Sequence, residues 1–270
     1  MIQKINEIRK TVEYSHPLIH CITNPISINQ CANAVLAVGA RPIMAQHPKE
    51  VCEITLTADA LMLNLGNITD VRMQSMLLSA KTAENKNIPV VLDAVGVACS
   101  KLRKDFASEL LHSGAVTVIK GNYSEINALY HKAYSSSGVD ADKSLDTAFV
   151  SKVAVQLATE HKTIVLASGK TDIVTDGNRL IFLNNGTPQL SRVTGTGCML
   201  GALCASFLSA KADMDAIVTA SCVFGICGEL SKTNKGNATF MLNLIDRLSI
   251  LKDEDIEKHL NMEVGKIEGL

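Results

Sequence analysis

HPLIHCITNPISINQCANAVLAVGARPIMA, residues 16–45, contains a strand, a helix and a second strand in one run. His16 to Thr23 read as the strand. Asn24-Pro25 supplies an N-cap followed by proline at the first helical position, Ile26 to Val38 continue as helix, and Gly39 stops it. Pro42 to Ala45 form the second strand, ending near Met44. Outward from this unit the alternation returns about every 25–30 residues. His47-Pro48 starts a helix. Apolar strands are predicted at 60–66, 89–93, 116–120 and 163–168, with helices at 69–86, 103–112 and 146–160 and another after Gly121-Asn122 that carries Glu125. A hairpin is predicted across Gly177-Asn178, and beyond residue 192 the chain reads as largely helical. This pattern predicts an α/β fold of three layers, a mostly parallel sheet with helices on both faces, in a single domain spanning 1–270. Residues 135–143, opening with three serines and a glycine, are the expected mobile insertion.

Composition fits that architecture. Of 270 residues, 47 % are hydrophobic but only 4 % aromatic, with no Trp, so the core is built from aliphatic and small side chains. A formal charge of −1 with scattered Lys and Arg argues against a nucleic-acid or anionic-membrane surface. The first residues lack an apolar signal segment. A membrane span needs about 20 predominantly apolar residues, and the nearest stretch, Met214 to Glu229, is too short and too rich in small residues. It reads as a buried or subunit-packing helix. Eight cysteines without a CxxC pair or zinc spacing predict reduced thiols in the cytoplasm.

The strand ends gather the polar residues: Asn24, Met44 to His47, Asn64, Asp93, Lys120, Glu125 and Ser168. In a parallel sheet these ends share one edge, where α/β proteins bind ligands. The glycine-spaced turn Gly195-Thr196-Gly197 opens a further helix, whose unpaired first-turn N–H groups and dipole favour a phosphate, and Cys198 sits just inside, where the same field favours a thiolate. Asp93 and Glu125, beside a lysine and an anion pocket, suggest hydrated Mg²⁺ near polyphosphate. Each feature also has an ordinary reading: a helix start, a small core thiol, a cap, a surface charge. Two motifs fail on spacing. Gly169-Lys170-Thr171 lacks the upstream Walker glycine because Ile164 occupies its place, and Gly195-Thr-Gly197 lacks the third glycine of a dinucleotide fingerprint because Leu200 does.

Taken together, HCITNPISINQCANAVLAVGARPIMA (20–45), LMLNLGNIT (61–69), VVLDAVG (90–96), IKGNYSEI (119–126) and VTGTGC (193–198) resemble the hydroxyethylthiazole kinase family, a ribokinase-like family of thiamine salvage, over nearly the whole chain. The terminal cysteine of VTGTGC is the most specific mark, since ribokinase-like relatives usually carry Asp there. The resemblance implies transfer of the γ-phosphate of ATP to the primary hydroxyl of 4-methyl-5-(2-hydroxyethyl)thiazole, and a homotrimer with the thiazole site between subunits. It assigns Met44, Gly195 and Asn24 to the substrate, Lys120 and Ser168 to ATP, Asp93 and Glu125 to Mg²⁺ and phosphate, and Cys198 to the place of the base. The chain departs from the family pattern at Ala94, Lys170 and the Gly236-Asn-Ala-Thr-Phe240 loop, and carries Lys120 and Ser168 where many relatives have Arg and Thr. A kinase of another heterocyclic alcohol such as hydroxymethylpyrimidine, or a non-catalytic binder of small ligands, would use the same pocket.

Overall fold

The computed structural model describes residues 1–131 and 145–267, so the insertion expected at 135–143 lies outside the described residues. In chain order the elements are α1 (Ile2–Ser15), β1 (Leu18–Ile22), α2 (Ile28–Ala37), β2 (Arg41–Ile43), α3 (Val51–Thr57), β3 (Ala60–Asn64), α4 (Asp70–Lys86), β4 (Val90–Asp93), α5 (Lys101–His112), β5 (Val118–Asn122) and α6 (Tyr123–Tyr130). After the undescribed segment come α7 (Thr147–His161), β6 (Ile164–Ser168), β7 (Asp172–Thr175), β8 (Leu180–Leu183), α8 (Thr196–Leu208), α9 (Met214–Leu230), α10 (Asn237–Ile250), α11 (Asp253–His259) and β9 (Met262–Val264).

Among the described residues one nine-stranded sheet runs β2-β1-β3-β4-β5-β6-β7-β8-β9. The pairs from β2 to β6 are parallel and the last three pairs antiparallel. The expected three-layer, mostly parallel sheet is therefore present. β9 is an addition: three residues at an edge are too few to show a period in the sequence. Side chains alternate between two cores, as the period of a strand requires. Ala60 and Met62 join the core beneath α1, α2, α8, α9 and α10, while Leu61 and Leu63 join the one beneath α4, α5 and α7.

α8 lies across the middle of the sheet, against β1, β3 and β4. It can come that close because Gly201 has no side chain: a Cβ there would stand 2.9 Å from Met62 Cε and 3.2 Å from Asp93 Oδ2. α9 is buried from Met214 to Gly228 within this chain, which makes it a core helix and leaves it no face for subunit packing. Among the described residues no helix is long and apolar enough to cross a membrane.

The strand order reverses at β1, whose two neighbours are β2 and β3. The chain leaves β1 toward one side and β3 lies on the other, opening a crevice at the carboxyl ends of β1 and β3.

Candidate active site

Asn64, Asp93 and Lys120 form a row across β3, β4 and β5, because the register pairs Asn64 with Asp93 and Asp93 with Lys120. Directly paired residues point to the same face, and here it is the face covered by α8. Asp93 accepts a 2.9 Å bond from Lys120 Nζ on Oδ1 and a 2.7 Å bond from Asn64 Nδ2 on Oδ2. Burial pushes the Asp93 carboxyl up, partly offset by Lys120 and Asn64. Burial works against the Lys120 charge too, but Asp93 and Glu125 outweigh it and raise its pKa, so the ammonium persists.

Asn24 does not cap the helix in the way its position suggests. Its Oδ1 accepts from the amides of Ile26 (3.1 Å) and Ser27 (3.2 Å), closing a turn over Pro25-Ile26-Ser27, and α2 begins at Ile28, two residues later than predicted. A proline after an asparagine suits such a turn as well as a helix start. The helix expected from His47-Pro48 likewise begins later, at Val51.

Gly195 caps α8 with φ 93°, and a Cβ there would stand 3.3 Å from Ser27 Cβ on the approach to α2. Both the left-handed backbone and the neighbouring helix demand glycine. Two residues on, a Cβ at Gly197 would lie 3.5 Å from Lys120 Nζ, so the ammonium stands against the first turn of α8. Cys198 follows, partly exposed, with its Sγ 3.3 Å from both Asn24 Nδ2 and Asn64 Nδ2. The deeper thiol of Cys31 is driven up to about 12, first by burial and then by the neighbouring Cys198.

Glu125 reaches the same edge from α6. Its Oε2 accepts from Asn122 N (2.7 Å) in a capping box and its Oε1 from Gly96 N (2.8 Å), tying the β4–α5 loop to β5. Burial raises its pKa, while Lys120 and these amides pull the other way. Ser168 lies beside Asn122 in the β5–β6 register and donates a 3.2 Å bond to Gly121 O. Met44, just beyond β2, is partly buried against the α8-side core, and His20 holds the following residue through Nε2 to Ala45 O at 2.9 Å. Asn24, Asp93, Lys120, Gly195 and Cys198 thus form one connected group, with Glu125 coupled through Lys120. Met44 and Ser168 stand at the same edge without a side-chain bond to that group.

Among the described residues no three His, Cys, Asp or Glu side chains are placed to hold a metal. The four oxygens of Asp93 and Glu125 each carry one internal hydrogen bond. That donor set fits a hydrated cation carried by polyphosphate and held through water; it does not make a protein cage.

Arg72 was not singled out from the sequence. It is 4 % exposed in the first turn of α4 and donates to the carbonyls of Asn64 (2.9 Å), Gly66 (2.7 Å) and Asn67 (2.8 Å). Burial, with Arg103 nearby, lowers its pKa. Its signal was available: a cation in the first turn of a helix opposes the dipole and calls for a local reason. Here the reason is three carbonyls of the β3–α4 loop. The Gly169-Lys170-Thr171 decoy is the bend between β6 and β7, closed by Gly169 N to Asp172 Oδ1 at 2.9 Å.

The hydroxyethylthiazole kinase family model matches residues 9–254. The chain belongs to this family. It is 45 % identical over 261 residues to hydroxyethylthiazole kinase 1 of Clostridium botulinum strain Loch Maree, covering 95 % of this chain and 98 % of that one. With the hydroxyethylthiazole kinase of Finegoldia magna it shares 43 % identity over 268 residues, covering 99 % and 98 %. The structure of a hydroxyethylthiazole kinase protein from Pyrococcus horikoshii superposes with a TM-score of 0.90 at 33 % identity, covering 98 % of this chain and all of that one. A pyridoxal kinase from Staphylococcus aureus, at 14 % identity and a TM-score of 0.66, shares the fold. Family and fold agree with the sequence motifs, and the chain is a kinase.

Proposed function

We propose that this protein transfers the γ-phosphoryl group of ATP to the primary hydroxyl of 4-methyl-5-(2-hydroxyethyl)thiazole, yielding the monophosphate for thiamine salvage. The observation that carries this reading is the convergence at the first turn of α8, where the Lys120 ammonium abuts Gly197 and Cys198 follows. Phosphoryl transfer asks for alignment and charge neutralisation, because its transition state is loose. The free amides of Thr196, Gly197 and Cys198 receive the migrating group, and Lys120 offsets its charge. Cys198 Sγ takes the hydroxyl proton as the new O–P bond forms and ADP departs with the electrons of the broken bond. Glu125 and Asp93 would hold Mg²⁺ through water, and the ion when bound would neutralise further polyphosphate charge. Met44, Gly195 and Asn24 line the thiazole side, and Lys120 and Ser168 the nucleotide side.

The same reading makes the chain one cytoplasmic domain that assembles as a homotrimer with sites between subunits. All eight cysteines are free, in keeping with a reducing compartment. Ile26, Leu36 and Leu242, exposed at 54 %, 56 % and 66 %, give the turn before α2, α2 itself and α10 apolar surface to share. Light scattering that returned a monomer would remove the trimer.

The decisive assay is ester formation from hydroxyethylthiazole and ATP, followed by mass spectrometry, with hydroxymethylpyrimidine in parallel. The thiazole alcohol is the expected acceptor, and Cys198→Ala lowers kcat roughly a hundredfold or more. No thiazole ester from the folded wild type, or a stable phosphocysteine trapped during turnover, overturns the reading.

A further inference from the structure

The carboxamides of Asn24 and Asn64 leave no freedom in their hydrogen bonding. A carboxamide offers two acceptor lone pairs and two N–H donors. Asn64 Oδ1 accepts from Gly66 N and Asn24 Nδ2, both at 2.9 Å, while its Nδ2 donates to Asp93 Oδ2 at 2.7 Å and Cys198 Sγ at 3.3 Å. Asn24 Oδ1 accepts from Ile26 N and Ser27 N, while its Nδ2 donates to Asn64 Oδ1 and Cys198 Sγ. Flipping either amide would set its NH₂ against backbone N–H groups, so the orientation is imposed by the main chain. Gly66 completes the frame, since a Cβ there would stand 2.9 Å from both Asn24 Nδ2 and Asn64 Oδ1. Neither amide has an acceptor left for the thiol, so the sulfur receives two N–H groups and gives nothing back.

We propose that Asn64, with Asn24 beside it, is the positioning residue that fixes the Cys198 sulfur as a hydrogen-bond acceptor, the role the proton-accepting step demands. This rests on the kinase reading for its purpose but not for its geometry. Asn64 is buried, and its links to the reacting groups run through Cys198, Asp93 and Asn24. The two N–H groups fix where the sulfur points, and loss of one leaves it free to turn away from the hydroxyl proton and from an alkylating agent alike.

The test is a double-mutant cycle on kcat with Asn64→Leu, Cys198→Ala and the pair, beside iodoacetamide labelling of the Cys198 peptide read by mass spectrometry. Asn64→Ser stands in if the leucine variant loses its cooperative melt. Removing the amide donor lowers kcat roughly a hundredfold, as loss of a charge-stabilising donor does, with KM for ATP held within about twofold. In the Cys198→Ala background the same substitution costs at least about tenfold less, because only its bond to Asp93 is left to lose. Labelling of Cys198 slows about tenfold, which reports the sulfur independently of any kinase assay. An equal loss in both backgrounds, or labelling as fast as or faster than wild type in a folded variant, overturns the proposal. If the wild type fails to phosphorylate the thiazole alcohol while labelling still slows, the positioning role stands and the substrate reading falls.

Discussion

Asp93 and Asp215 are both withdrawn from solvent, at 0 % and 2 % exposed, yet their carboxyls are pushed in opposite directions. At Asp93 burial raises the pKa, and Lys120 and Asn64 recover only part of the cost. At Asp215 burial is outweighed by Lys4, Lys211 and Arg179, which hold it down at about 2. The partners differ in their own surroundings. Lys120 is itself buried, whereas Lys4, Lys211 and Arg179 are 53 %, 46 % and 44 % exposed. A buried ion pair is bound by the penalty of separating it, while exposed cations release their partner to water at little cost. The first arrangement fixes two charges at the edge where phosphate is to bind. The second ties α1, the β7–β8 hairpin and α9 together.

The largest effect that this contrast predicts is at Asp93→Asn. It strands the Lys120 ammonium in the core with Glu125 as its remaining counter-charge, and breaking a buried pair in this way costs about 3–5 kcal/mol. Denaturant melts measure that loss. Turnover falls with it, roughly a hundredfold or more, because Lys120 loses the contact that sets it against Gly197. A folded Asp93→Asn protein with wild-type stability and kcat would place the Lys120 ammonium outside the catalytic group.

Asp215→Asn is expected to be milder and purely structural. Its cations rehydrate, so the loss at pH 7 is about 1–2 kcal/mol, with kcat unchanged. The pH dependence has a definite sign. The folded pKa lies below the ordinary carboxylate value, so this stabilisation is complete above about pH 4 and is lost as pH falls toward about 2. Melting curves of wild type and Asp215→Asn therefore converge across that acid window. Parallel curves would assign the stabilisation to groups other than Asp215.

The contrast also separates what sequence can reveal from what it cannot. Asn24, Asp93, Lys120 and Glu125 were legible because each follows or closes an apolar strand, and a parallel sheet sends every such end to one edge. The turn at Gly195 was legible because glycine spacing before a helix has few other uses. Local alternatives were harder. Asn24-Pro25 serves a turn as readily as a cap, and the Asn122–Glu125 spacing of a capping box does not say that both carboxylate oxygens are spent on backbone amides. The amide bonds around Cys198 join residues 40 to 174 positions apart, and the ring around Asp215 draws on residues 4, 179 and 211. Such contacts depend on which helix face meets which strand, a choice that periodicity leaves open.

The smallest predicted effect sharpens the redundancy of the Asp215 ring. Lys4 donates to Oδ2 at 2.9 Å, an oxygen that Lys211 also reaches at 3.2 Å, while Arg179 holds Oδ1 at 2.9 Å. Lys4→Met removes one of two cations on a single oxygen, and the remaining lysine keeps it satisfied. A contact from a half-exposed lysine that a second lysine duplicates is worth roughly 0.2–1 kcal/mol, and the methionine retains the apolar stem. Because the interaction is screened by salt, the difference from wild type should shrink further between low and high ionic strength. Thermal melts at two salt concentrations measure it. A loss as large as that of Asp215→Asn, unmoved by salt, would mean that Lys4 is not interchangeable with Lys211, and that the second aspartate depends on one committed cation much as Asp93 depends on Lys120.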